Sequence, residues 1–119
     1  MEIKFTKAET LKNKPQPGDK LGFGHIFTDY MLVMPYDAGQ GWHDPEIRPY
    51  GNFEISPAAM CLHYGQTVFE GLKAYRTADN KIQLFRPEEN FKRLNSSNGR
   101  LVIPELPVEL GMECLMELL

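Results

Sequence analysis

The residues best suited to chemistry are gathered in His63-Tyr64-Gly65-Gln66-Thr67-Val68-Phe69-Glu70-Gly71-Leu72-Lys73-Ala74-Tyr75-Arg76, followed by Leu84-Phe85-Arg86-Pro87 and Asn90-Phe91-Lys92-Arg93-Leu94. Read as extended backbone, Val68 to Arg76 sends Phe69, Gly71, Lys73 and Tyr75 to one face, and Val68, Glu70, Leu72 and Ala74 to the other. One face therefore carries aromatic rings, a cation and a gap. Glycine inside a strand forfeits packing and backbone entropy, so Gly71 marks either the close approach of a ligand or second backbone, or a bulge. On local spacing alone, Arg93 reads as a solvated helix-face arginine near Glu89, one turn earlier.

Other candidate motifs are weaker. Gly22-Phe23-Gly24 lacks the third glycine, the preceding strand and the distant acid of a dinucleotide fingerprint. His25, His43 and His63 are scattered, and neither they nor Cys61 and Cys114 have metal-ligand spacing. Reduced, buried cysteines are the expectation. Asn95-Ser96-Ser97 fits a glycosylation pattern, but it falls in a predicted helix of a chain without a secretory signal.

The elements that must position these residues follow from turn chemistry and periodicity. Residues 1–16 form a polar, lysine-rich lead-in, expected to be mobile or to hug the surface, and residues 17–119 form the folded domain. Tyr30-Met31-Leu32-Val33-Met34 predicts a strand limited by Pro35, and Pro45 and Pro49 make the arm after Trp42 short or edge-like. Ser56-Pro57 permits a brief helical turn before His63. The strand 68–76 should pair with 81–85 across Thr77-Ala78-Asp79-Asn80. Pro87, with Glu88 and Glu89 in a positive first turn, opens a helix on which Phe91 and Leu94 share a face, and Pro107 opens a last helix carrying Val108, Met112, Leu115 and Leu119. The predicted class is α+β: an antiparallel sheet from the segments near 26–36, 42–55, 68–76 and 81–86, with helices near 87–100 and 107–119 packed on one side.

Composition narrows the function. At 119 residues, with 42% hydrophobic and 24% charged residues, the chain has the size and balance of one modest soluble domain. A net charge of −3 without a basic cluster disfavours nucleic-acid binding. No window reads as a signal peptide or membrane span, so a cytoplasmic protein is the simplest inference. The last helix lacks a terminal cap signal, which leads to the expectation of truncation from a longer protein.

Taken together, Phe23-Gly24-His25-Ile26-Phe27-Thr28-Asp29-Tyr30-Met31-Leu32, His63-Tyr64-Gly65, Phe69-Glu70-Gly71-Leu72-Lys73-Ala74-Tyr75 and Phe85-Arg86-Pro87, in that order and spacing, resemble the N-terminal small domain of branched-chain amino acid aminotransferases, fold type IV pyridoxal-phosphate enzymes. The resemblance spans about residues 17–119. It implies transfer of the amino group of leucine, isoleucine or valine to 2-oxoglutarate, with branched-chain amino acids and 2-oxo acids as partners and a homodimer as the assembly.

The resemblance also assigns roles. Arg93 would bind the cofactor phosphate, for which a planar guanidinium fork is suited. Phe23, Tyr64 and Phe69 would line the substrate side-chain pocket, against the competing reading of ordinary core packing. Gly71 would leave room beside the cofactor, and Lys73 would stand near the pocket mouth. Desolvation could activate Lys73 for imine chemistry, but the family pattern puts the Schiff-base lysine in a larger C-terminal domain. No catalytic residue is therefore expected in this chain, which should be inactive alone. The alternatives are a D-amino acid aminotransferase, an aminodeoxychorismate lyase, or a non-catalytic stand-alone binding module; a third possibility is that the isolated domain self-associates through the surface that the larger domain would cover.

Overall fold

The computed structural model describes residues 1–119, which form two compact units, Met1–Phe53 and Glu54–Glu117. The chain order is β1 (Lys4–Phe5), β2 (Tyr30–Val33), β3 (Tyr36–Asp37), β4 (Gly41–Trp42), β5 (Glu46–Pro49), α1 (Met60–His63), β6 (Ala74–Arg76), β7 (Ile82–Leu84), α2 (Pro87–Leu101) and α3 (Val108–Leu118). The class is α+β, as predicted. The strands, however, form three separate small sheets rather than one.

In the first unit β5 is central: β2 pairs with it antiparallel, Leu32 opposite Ile47, and β1 pairs parallel on its other edge, Phe5 opposite Ile47. Ile47 and Pro45 are buried, so both edges close over the same short segment. The lead-in hugs the surface. Its Lys4 and Thr6 N–H groups donate to the carbonyls of Pro45 and Ile47, Thr6 Oγ1 donates to Glu46 Oε1 at 2.6 Å, and the Ala8 N–H donates to the Tyr30 hydroxyl. Aromatic pairs fill in around this frame: Phe5 with Tyr30, Phe27 stacked on Tyr50, and Tyr36 edge-on to Trp42 across the β3–β4 hairpin.

The second unit carries Tyr64, Phe69, Gly71, Lys73 and Arg93 of the predicted site, and the first carries Phe23. Pro87 at N1 and Glu88 and Glu89 in the first turn start α2 as the sequence predicts. Arg86 at φ 45° turns the chain into it, and Val102 at φ 56° caps its end. The Ile103 N–H returns to the Asn98 carbonyl, closing the final turn. Helix α3 packs Gly111 against the Phe91 ring of α2, and Cys114 is buried nearby on the same helix. Cys61, expected to be buried, is exposed.

The expected strand from Val68 to Arg76 is regular only over Ala74–Arg76. The observed register, Ala74 opposite Leu84, would place Gly71 opposite Pro87 if it continued. Pro87 has no N–H to donate and already begins α2, so residues 68–73 have no strand to pair with. No helix is long and apolar enough to cross a membrane.

Candidate functional site

With the ladder gone, side chains satisfy the backbone around Gly71. The Gly71 carbonyl accepts a hydrogen bond from Asn90 Nδ2 at 2.9 Å, taking from helix α2 what a neighbouring strand would otherwise supply. The same Nδ2 donates to Glu70 Oε2 at 2.9 Å, and the Gly71 N–H donates to that oxygen at 3.0 Å. Arg93, one turn along α2 from Asn90, completes the cluster. Its Nε donates to Glu70 Oε1 and its Nη2 to Glu70 Oε2 at 2.7 Å. The pair is bidentate, with both carboxylate oxygens taken by one guanidinium edge.

The expected helix-surface pairing of Arg93 with Glu89 is thereby replaced. Glu89 is engaged by Lys92 at 2.8 Å, with Arg86 at 3.9 Å. The two partners of the observed pair differ in exposure: the Glu70 side chain is 15% exposed and that of Arg93 68%. Glu70 is thus the fixed member, held from three directions. Its carboxyl is lowered to about 2, first by the hydrogen bonds from Arg93 and then by that from Asn90. The Arg93 guanidinium is raised by the same contact. Because Nε and Nη2 face Glu70, Nη1 and the second hydrogen of Nη2 remain for another acceptor.

Next to this cluster lies a surface concavity of about 250 Å³ whose lining includes Gly71, Lys73, Tyr75, Phe85, Pro87 and Asn90. Gly71 and Lys73 are therefore gathered at one place, and Arg93 is tied to it through Glu70 and Asn90. The predicted wall aromatics of this unit, Tyr64 and Phe69, do not line the concavity. Tyr64 and Phe69 are 79% and 92% exposed, and Phe23, in the first unit, is 96% exposed. Within residues 1–119, none of the three rings is packed in a core. A Cβ built on Gly71 would meet nothing within 4 Å, so the gap at this residue opens to free space.

Glu70 and Asn90 were not singled out from the sequence. Glu70 lies 23 residues from Arg93, beyond the reach of any helical spacing rule, and Asn90 reads on its own as an ordinary first-turn polar residue. The alternation of the 68–76 segment does separate Glu70 from Phe69 and Gly71, and that was the available signal.

No protein-family model matches the chain. Curated relatives do. A probable branched-chain-amino-acid aminotransferase of Staphylococcus epidermidis is 57% identical over 118 residues, covering 99% of this chain and 32% of the relative. Branched-chain-amino-acid aminotransferase 2 of Bacillus subtilis is 53% identical over 116 residues, 98% of this chain and 32% of its own length. The branched-chain-amino-acid aminotransferase of Mycolicibacterium smegmatis is 52% identical over 98 residues, 82% of this chain and 27% of its own. The chain spans about a third of the length of the curated relatives it matches. By sequence, then, the chain is similar over nearly its whole length to one segment of branched-chain-amino-acid aminotransferases.

Proposed function

We propose that this chain supplies the phosphate anchor and part of the substrate wall of a cytoplasmic, homodimeric, pyridoxal-phosphate-dependent transaminase. The whole protein would move the amino group of leucine, isoleucine or valine to 2-oxoglutarate. The observation that carries this reading is the identity of 57% to a probable branched-chain-amino-acid aminotransferase over nearly the whole chain. The lysine that tethers the cofactor belongs, in this reading, to a further domain, and residues 1–119 alone are inactive.

The residues present fit the cofactor's phosphate. Arg93 has an unspent, solvent-facing donor edge and keeps its charge throughout the physiological range, as an anchor for a phosphate dianion requires. When bound, pyridoxal phosphate supplies the electron sink that stabilises a carbanion. The protein's own part is binding and shape. Arg93 fixes one end of the cofactor, and Gly71 leaves open space beside it. The exposed rings of Phe23, Tyr64 and Phe69 offer apolar surface for an aliphatic side chain, with the Tyr64 hydroxyl available to the carboxylate of glutamate. Large aromatics left in solvent suit a wall that more protein completes. Lys73, on the concavity's lining, can meet a substrate carboxylate at the mouth.

The test is the full-length protein loaded with pyridoxal phosphate. Glutamate should form from 2-oxoglutarate with leucine, isoleucine or valine as donor, and residues 1–119 alone should form none. Transfer from D-amino acids only, lyase activity on aminodeoxychorismate, or no transfer at all would overturn the reading.

A further inference from the structure

The carboxylate of Glu70 is bound by Asn90 and by the Gly71 N–H independently of Arg93. It is a prepared acceptor into which the guanidinium docks. A free arginine side chain has four rotatable bonds and substantial rotamer entropy, and Arg93 is largely exposed, so nothing but Glu70 is seen to hold it. The docking edge is Nε with Nη2, so the edge turned away is Nη1 with Nη2, a second two-donor face coplanar with the first. We propose that Glu70, clamped by Asn90, is a positioning residue that fixes the Arg93 guanidinium so that its outward edge meets a phosphate dianion. This rests on the reading of Arg93 as the phosphate anchor.

The opposite effect is physically available, which makes the idea decidable. A carboxylate on the same guanidinium neutralises its charge and could compete with phosphate for its donors. Geometry favours positioning. Competition for the same donors would require phosphate to displace Glu70, yet Glu70 is mostly buried and satisfied on both oxygens, and a second donor edge lies free. Losing a preorganised donor costs affinity because the side chain must then be ordered at the moment of binding.

The experiment compares pyridoxal phosphate with unphosphorylated pyridoxal on full-length apoprotein, each titrated by absorbance. The ratio of their dissociation constants isolates the phosphate contribution. Arg93→Ala should abolish most of the wild-type preference for the phosphorylated compound. Glu70→Ala should cut it about tenfold, as expected for a loss of preorganisation, and Glu70→Gln, which keeps a hydrogen-bond acceptor, should recover part of it. Asn90→Ala, which leaves the ion pair but removes its clamp, should fall between wild type and Glu70→Ala. If Glu70→Ala does not fold, Glu70→Gln and Asn90→Ala carry the same comparison. Equal weakening of both compounds would show a merely structural role, and tighter phosphate binding in the Glu70 variants would show a competitor; either overturns the proposal. Wild-type protein without phosphate preference, unchanged in Arg93→Ala, would instead remove the anchor reading itself.

Discussion

Asn95 faces Leu106 as a second peptide group would: its Nδ2 donates to the Leu106 carbonyl at 2.7 Å, and its Oδ1 accepts the Leu106 N–H at 2.9 Å. The loop joining α2 to α3 is thereby tied to α2 by a side chain. Both bonds are partly buried, so Asn95→Ala strands a donor and an acceptor together. The expected loss is about 2 kcal/mol, from the cost of partly buried polar groups left without partners. Urea denaturation measures it. An unchanged midpoint would show that water replaces the side chain freely.

Gly111 is a packing requirement rather than a flexibility device. A Cβ there would stand 2.5 Å from Phe91 Cε1 and 2.7 Å from Cδ1. Gly111→Ala gains about 1 kcal/mol of helix propensity but must displace a ring wedged between α2 and α3, for which overpacking costs about 1–3 kcal/mol. Net destabilisation is expected. In a Phe91→Leu background the clash is relieved, and the same substitution should become neutral or stabilising. Thermal melting of the four proteins in this cycle reads the coupling directly.

His43 is bonded on both ring nitrogens, Nε2 to Asp37 Oδ2 at 2.7 Å and Nδ1 to Asp44 Oδ2 at 2.9 Å. Only the imidazolium can donate to both carboxylates at once. Its pKa is raised above the ordinary 6.5, chiefly by the hydrogen bond to Asp44 and next by that to Asp37. A raised folded pKa means the charged pair stabilises fully below the unfolded value and loses its contribution as pH climbs through the folded one. The first unit should therefore weaken as pH rises from about 6.5 through the folded midpoint. In His43→Gln that slope should disappear. The imidazole proton shifts in NMR give the midpoint, and a value at or below 6.5 would contradict the geometry.

The readable parts of this molecule were those set by short-range chemistry. Pro87 and the two glutamates after it announced α2, Pro107 announced α3, and the Thr77 to Asn80 turn announced the hairpin. The length of the strand was not readable, because alternation in residues 68–73 says nothing about whether a partner exists. The partner ends where Arg86 turns the chain and Pro87 starts a helix. β1 was equally hidden, since two residues in a polar lead-in gain strand geometry only from the β5 edge they meet. Arg93, Gly71 and Lys73 could be named in advance because each lies in a contiguous motif, and Gly71 also interrupts the alternation around it. Glu70 and Asn90 needed the helix and the irregular segment to be placed side by side.

The Glu70 carboxyl offers the most direct check on that placement. Its pKa lies near 2, and Arg93 is the largest cause, with Asn90 second. For a carboxyl depressed in the folded state, the stabilising contribution is present above the unfolded value of 4.5 and is lost as pH falls toward 2. Carbon-13 NMR of the glutamate carboxyls should therefore show one group still ionised when the others have protonated. Arg93→Ala should return its midpoint most of the way to the ordinary range, and Asn90→Ala should move it less. The order of the two variants is the discriminating result. If Asn90→Ala shifted the midpoint more than Arg93→Ala, burial and the amide clamp would dominate, and the guanidinium would be a bystander rather than the partner that Glu70 holds in place.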